Sequence, residues 1–346
     1  MAGVWLLSRT PRARIAVVIA IAAGIQLLPL VGPVLLSTDV HTYWDYGRIA
    51  AVHGGNPYTD VPSDYPEDPA YPLMGSAWRD TTSVYGPGFT LVSEGHAAIV
   101  GDSSTAASLL YRVLAALSVV ALVALAAKLA ARKAYAAAFV GWNPLLAFHF
   151  AGGGHNDAWM MALVLAALAL AASSRRQLAG AAWAAAIAVK WVALVFLPLR
   201  ILEARATRRE VRHLGFAAVA GGIIAVATWR YGPHWLEAFG PLADNLARQA
   251  QYSIPNRLSG LGISQDAAAW LLAGLFALAY LWLLREAWRG RARLGLAAGL
   301  LLLATPWLVP WYAVWAVPLA AVEEDRAARW LALGVSAYLL RDAVPL

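Results

Sequence analysis

The chain has 346 residues, of which 60% are hydrophobic and only 14% are charged. A soluble domain carries roughly a quarter charged residues, so the composition excludes an ordinary water-soluble protein and places the chain in a bilayer. The net charge of +7 does not point to nucleic acid, because the basic residues fall in short loops between apolar stretches, as membrane topology requires. The chain has no cysteine, which excludes disulfides, zinc-thiolate sites and thiol catalysis.

In chain order, the apolar stretches 13–36, 104–127, 134–150, 157–173, 177–190, 191–203, 213–230, 266–285, 294–306, 309–322 and 328–343 predict helices that cross or dip into the membrane. Several are shorter than the roughly 20 residues of a full crossing, so the expected fold is an all-α integral membrane bundle of about 10–12 spans, some short, broken or re-entrant. The first stretch follows Arg9, Arg12 and Arg14. It is longer than a signal-peptide core and has no small-x-small cleavage site after it, so it reads as a retained span. No polar stretch is long enough to enclose its own core, and residues 1–346 are expected to form one membrane domain.

With the amino terminus cytoplasmic, most basic residues share its side: Arg9 to Arg14, Lys128 to Lys133, Arg175 and Arg176, Arg200 to Arg212, Arg285 to Arg293, and Arg326 with Arg329. The positive-inside rule then predicts a multi-pass protein of the plasma membrane whose chemistry faces outward, where most acidic residues lie. Two external loops are long, 37–104 and 231–265. A full crossing by Val84 to Val100 would put Lys128, Arg132 and Lys133 outside, so that segment is expected as a helix on or dipping into the outer face. The aromatic residues of both loops predict order, and the first is expected to carry amphipathic helices.

Asp39 directly follows the first span in LLSTDVHTYWDYGR, beside His41, Asp45 and Arg48. A carboxylate at the membrane boundary can take a proton from a sugar hydroxyl while a lipid-anchored donor lies alongside; the plainer reading is a solvated acid opening a helix. Asp45 is either a ligand for a substrate hydroxyl or a partner of Arg48. HGGNPYTD is a turn, and its Asn56 and Tyr58, with Tyr85 further on, are candidates for contact with sugar hydroxyls.

The most distinctive stretch is FHFAGGGHNDAWMMALVLAALALA. Three glycines break one helix, and the next begins at His155, Asn156 and Asp157. Asn or Asp at a helix start caps free amides, but capping does not call for a neighbouring His, and a helix start beside His suits a phosphate. Lys190 interrupts the apolar AWAAAIAVKWVALVFLPLR, where a charge is costly and a functional candidate by default. It is expected at the turn of a broken hairpin, with a lipid phosphate as partner; the alternative is a snorkelling lysine. Arg257 in YSIPNRLSG is a second cationic candidate. Pro306 and Pro310 break TPWLVPWYAVW so that Trp307, Trp311, Tyr312 and Trp315 are free to stack on a sugar ring or line a polyprenyl groove.

Taken in order, the Asp after the first span, NPY, WNPLLAFHFAGGGHNDAWM, the Lys in a broken hairpin and TPWLVPWYAVW resemble the actinobacterial polyprenol-phosphate-mannose-dependent alpha-1,6-mannosyltransferases of the GT-C superfamily. GGGHNDAWM and PWYAVW are the most specific parts. The resemblance implies that Asp39 matches a catalytic aspartate and that His155 and Asp157 orient acceptor or donor phosphate. It further implies transfer of a sugar, most simply mannose, from polyprenyl phosphate to a hydroxyl of a glycan or glycolipid by a single inverting displacement. No cofactor is required and no divalent metal is expected, since the leaving group is a lipid monophosphate. The competing readings are a transferase for another polyprenyl-phosphate sugar and a transporter or flippase of a lipid-linked sugar. A flippase usually places its site at mid-bilayer between repeats, whereas these polar groups gather at one boundary. A non-catalytic scaffold explains the spans and leaves that clustering unexplained.

Overall fold

A computed structural model describes residues 15–209, 211, 213–247 and 250–343. Arg9, Arg12, Arg14, Glu210, Arg212 and Arg248 lie outside the described residues. The chain is all-α, with no strand among those residues. Its helices are α1 Ile15–Leu27, α2 Asp39–Ala51, α3 Pro87–Val100, α4 Ser104–Leu129, α5 Lys133–Gly141, α6 Pro144–Ala147, α7 Asp157–Ala172, α8 Arg176–Val189, α9 Leu197–Ala206, α10 Leu214–Tyr231, α11 Phe239–Ala247, α12 Ile254–Ser259, α13 Gln265–Trp288, α14 Leu294–Ala304, α15 Ala313–Val322 and α16 Arg326–Ala343.

Among the described residues every apolar stretch read from the sequence carries helix, but few helices are long. Among the described residues three segments have the length and apolarity to cross a membrane alone: α4, the run that begins with α10, and α13. The expected stretch 134–150 divides in two. Pro144 cannot continue the hydrogen bonds of α5, so the helix stops at Gly141, restarts as α6 and widens into a π turn, Phe148–Gly152. The segment Pro144–Gly152 then meets α7 at 116° across the glycine run. The break that the glycines predict is therefore a sharp re-aiming of the chain.

Small residues let the helices approach closely. Ala115, Ala126, Ala136, Ala137, Ala158 and Ala297 are fully buried in one core that spans α1, α4, α5, α7, α8, α14 and α15. The long loop 37–104 is ordered, as expected. Pro87–Val100 is a short helix packed on α2, and Gly47 lies so close to the Ser93 carbonyl that a Cβ would collide with it. Arg48 fastens this loop: Nε bonds Asp68 at 2.8 Å, one terminal nitrogen bonds the Gly101 carbonyl at 2.8 Å and the other reaches Asp102. His53 adds a 2.6 Å contact to Asp68.

Candidate active site

Two chain segments meet at the glycine run. The Leu35 amide donates to the Gly152 carbonyl at 2.9 Å, which fixes the approach to α2. Arg112, 4% exposed on α4, donates to the carbonyls of Ala151, Pro29 and Gly32 and so holds both segments at once. Gly154 adopts φ +70°, a conformation that favours glycine, and Val40 fills the space a side chain there would need. Sequence reading passed over Arg112. A lone arginine in so apolar a helix was the available signal, by the same logic that singled out Lys190.

This packing brings Asp39, in the first turn of α2, against His155, with Oδ2 3.3 Å from Nδ1. The distance suits charge attraction, while the ring nitrogen lies outside hydrogen-bonding angles. Ser37 Oγ accepts from the Asp39 amide at 3.1 Å. Burial pushes the Asp39 carboxyl upward; the His155 ring, Ser37 and the charge of Lys190 outweigh it, and the group settles below its ordinary value of 3.8. Its side chain keeps 18% exposure.

His155 lies flat on Trp311, with ring centroids 3.7 Å apart and planes 11° apart. Asp157 is wholly buried and fully engaged: Lys190 Nζ reaches one oxygen at 2.7 Å and Trp315 Nε1 donates to the other at 2.7 Å. Lys190 also approaches Asn156 Oδ1 at 3.4 Å and lies 5.0 Å over the Tyr312 ring, which stacks on Trp315 at 3.9 Å. Lys190 stands at the expected break, extended between α8 and the 3-10 turn Trp191–Val195. Asn156 does not cap α7 with its side chain, so the capping reading gives way to the contact with Lys190.

The cluster thus unites Asp39, His155, Asn156, Asp157, Lys190, Trp311, Tyr312 and Trp315, while Trp307 packs edge-on against Trp78 of the first loop. Tyr85 lies at its edge, packed against Tyr43 of α2. His41 is half-buried on α2, and burial lowers its basicity. His149, unnoticed in the sequence, is buried beside His155 and Trp311 with no hydrogen-bond partner at either ring nitrogen. The FHF tripeptide gave no periodic signal for it, because the π turn decides where it points.

Other expected contacts resolve differently. Arg48 bonds Asp68 and Asp102 rather than Asp45, which is 2% exposed with one oxygen unpartnered. Asn56 spends its amide on the Tyr231 carbonyl and its oxygen on the Tyr58 amide, so it ties two loops together. Tyr58, 1% exposed, donates to Thr90 and the Tyr85 carbonyl and is a packing residue. Arg257 donates to Tyr338 of α16 at 2.9 Å.

Residues 1–205 match the family model described as "Alpha-(1->6)-mannopyranosyltransferase, N-terminal domain", and residues 261–345 match the "MptB C-terminal domain". Similar proteins include a probable alpha-(1->6)-mannopyranosyltransferase of Mycolicibacterium smegmatis, 29% identical over 84% of this chain and 62% of the relative. Alpha-(1->6)-mannopyranosyltransferase A of Mycobacterium tuberculosis is 28% identical over 91% of this chain and 67% of its own length. The enzyme of that name from Corynebacterium glutamicum is 26% identical over 58% of this chain and 46% of its own length. The chain therefore spans about half to two-thirds of the relatives it matches. No solved structure matches. The first family model alone covers more than half of the sequence, and the chain belongs to the alpha-(1->6)-mannopyranosyltransferase family.

Proposed function

We propose that the chain is a membrane mannosyltransferase that moves a mannosyl unit from a polyprenyl-phosphate donor to a hydroxyl of a glycan or glycolipid acceptor, with Asp39 as general base. The observation that carries this reading is the contrast between two carboxylates. Asp157 has no exposure and both its oxygens are engaged by Lys190 and Trp315, whereas Asp39 keeps 18% exposure and a depressed pKa. Asp157 is built to position, and Asp39 is ionised and within reach of a substrate proton.

In the displacement, the acceptor O–H gives its proton to Asp39 as the oxygen forms a bond to the anomeric carbon. The bond from that carbon to the phosphate oxygen breaks, and polyprenyl phosphate leaves with the electron pair. One displacement inverts the anomeric centre. Lys190 is the cation within the cluster and stabilises charge on the departing phosphate. The ring faces of Trp311 and Tyr312 suit a sugar. The chemistry needs no metal, because the leaving group is already a good one.

The outward orientation is supported by the helix ends. Helices α7 and α8 each have one end at the Asp157–Lys190 pair and the other at Arg175 and Arg176, and α15 leads from Trp315 towards Arg326. A basic cytoplasmic side leaves the cluster on the other face.

The test is Asp39→Asn, assayed for transfer from radiolabelled polyprenyl-phosphate mannose in membranes. We expect a loss of about 10²–10⁴-fold, the usual worth of a general base, with unchanged helicity and detergent-phase elution. Normal turnover by that variant overturns the assignment of the base. Movement of the labelled lipid across the bilayer without transfer establishes the flippase reading instead.

A further inference from the structure

A cavity of about 520 Å³ opens between α8, α9 and the start of α10, and it shares no lining residue with the Asp39 cluster. Its polar rim carries three guanidinium groups, Arg176, Arg200 and Arg209, with His213 beside them, and no acidic side chain lines it among the described residues. Trp183 and Phe216 are among its apolar walls. One terminal nitrogen of Arg200 is ion-paired with Glu203, one turn along α9; that carboxylate is not among the lining residues, and its other oxygen accepts from the Ala292 amide. Arg209 is exposed after the end of α9.

A concentration of guanidinium groups above an apolar pocket has a specific chemical complement. Arginine binds phosphate oxygens with paired donors, and a soluble anion would leave the walls beneath it unfilled. Basic pockets between membrane helices on the cytoplasmic side take anionic lipid head groups. The end of the bundle is the right one, since Arg176 opens α8 while Lys190, after the other end of α8, belongs to the cluster around Asp157.

We propose that this cavity binds one anionic membrane phospholipid, with its phosphate between Arg200 and Arg209 and an acyl chain against Trp183 and Phe216. The lipid fills the wedge between α8 and α9 and acts as a structural ligand. It is neither donor nor acceptor, so the proposal stands or falls independently of the transferase reading.

Native mass spectrometry of the full chain, released from detergent after incubation with equal amounts of phosphatidylglycerol and phosphatidylcholine, tests this. One phosphatidylglycerol adduct is expected, with little phosphatidylcholine. Arg209→Gln should lower that adduct about fivefold, the effect of removing one cationic contact at a membrane surface, while Arg209→Lys retains most of it. Because Arg209 is exposed, neither change threatens folding. Equal retention of the two lipids, undiminished phosphatidylglycerol in Arg209→Gln, or displacement of the adduct by inorganic phosphate would each overturn the proposal, the last by showing a site for free anions.

Discussion

Lys190 Nζ lies 2.7 Å from Asp157 Oδ2, so the break after α8 and the start of α7, 33 residues apart, are joined by one ion pair. Asp157 has no contact with solvent and Lys190 keeps 17% exposure. Removing one partner of a buried pair costs about 3–5 kcal/mol, because a charge is left uncompensated. Lys190→Met should therefore destabilise the protein towards the lower end of that range, measured by denaturant titration in detergent. The double variant with Asp157→Asn should recover much of the loss. If the two single losses simply add, the charges are not coupled.

Asp45 gives a pH signature of its own. Burial and then the neighbouring Asp68 push its carboxyl up to about 7, against the pull of Arg48. An acid with a raised native pKa costs stability as pH rises through its unfolded value near 3.8, and the cost levels off above about 7. Asp45→Asn should therefore raise the melting temperature more at pH 8 than at pH 5. An increment independent of pH would show that Asp45 does not titrate in that window.

Much of this architecture was legible in the sequence, because the helices are written in long apolar runs whose ends are marked by Gly, Pro and charge. Lys190 stood out because it interrupts an apolar stretch, where a charge needs a reason, Asp39 because it directly follows the first span, and His155 and Asp157 because they open a helix after a run of glycines. Asn56 and Tyr58 misled for the opposite reason. In a polar loop, a residue that bonds a backbone carbonyl 175 positions away, as Asn56 does with Tyr231, looks the same as one that faces a ligand. The split at Pro144 was foreseeable from proline chemistry, but the 116° bend was not, since it depends on the π turn and on Arg112 holding the Ala151 carbonyl.

Arg112 offers a way to test positioning separately from chemistry. Arg112→Met leaves the carbonyls of Ala151, Pro29 and Gly32 without that donor, each costing about 1–3 kcal/mol when buried. Transfer should fall through kcat, with the donor KM little changed, because the residue touches no substrate. Arg112→Lys should rescue only part, since an ammonium cannot reproduce the planar fork. Full activity in Arg112→Met would show that the two segments hold their register without it.

Chelation provides a fourth check. Among the described residues no three His, Asp or Glu side chains gather as a metal site, and the proposed leaving group does not call for one. Transfer in membranes washed with EDTA should continue at an undiminished rate. Loss of activity that magnesium or manganese restores would require a metal in the reaction.

The seam between Val40 and Gly154 has a further consequence. The clearance there is less than a methyl group, and Gly153 is similarly pressed, with the His149 carbonyl 2.8 Å and His155 Nε2 3.0 Å from where its side chain would begin. The segment that carries His155 therefore has no room to slide along α2, and a substitution that shifts either one moves Asp39 and His155 together.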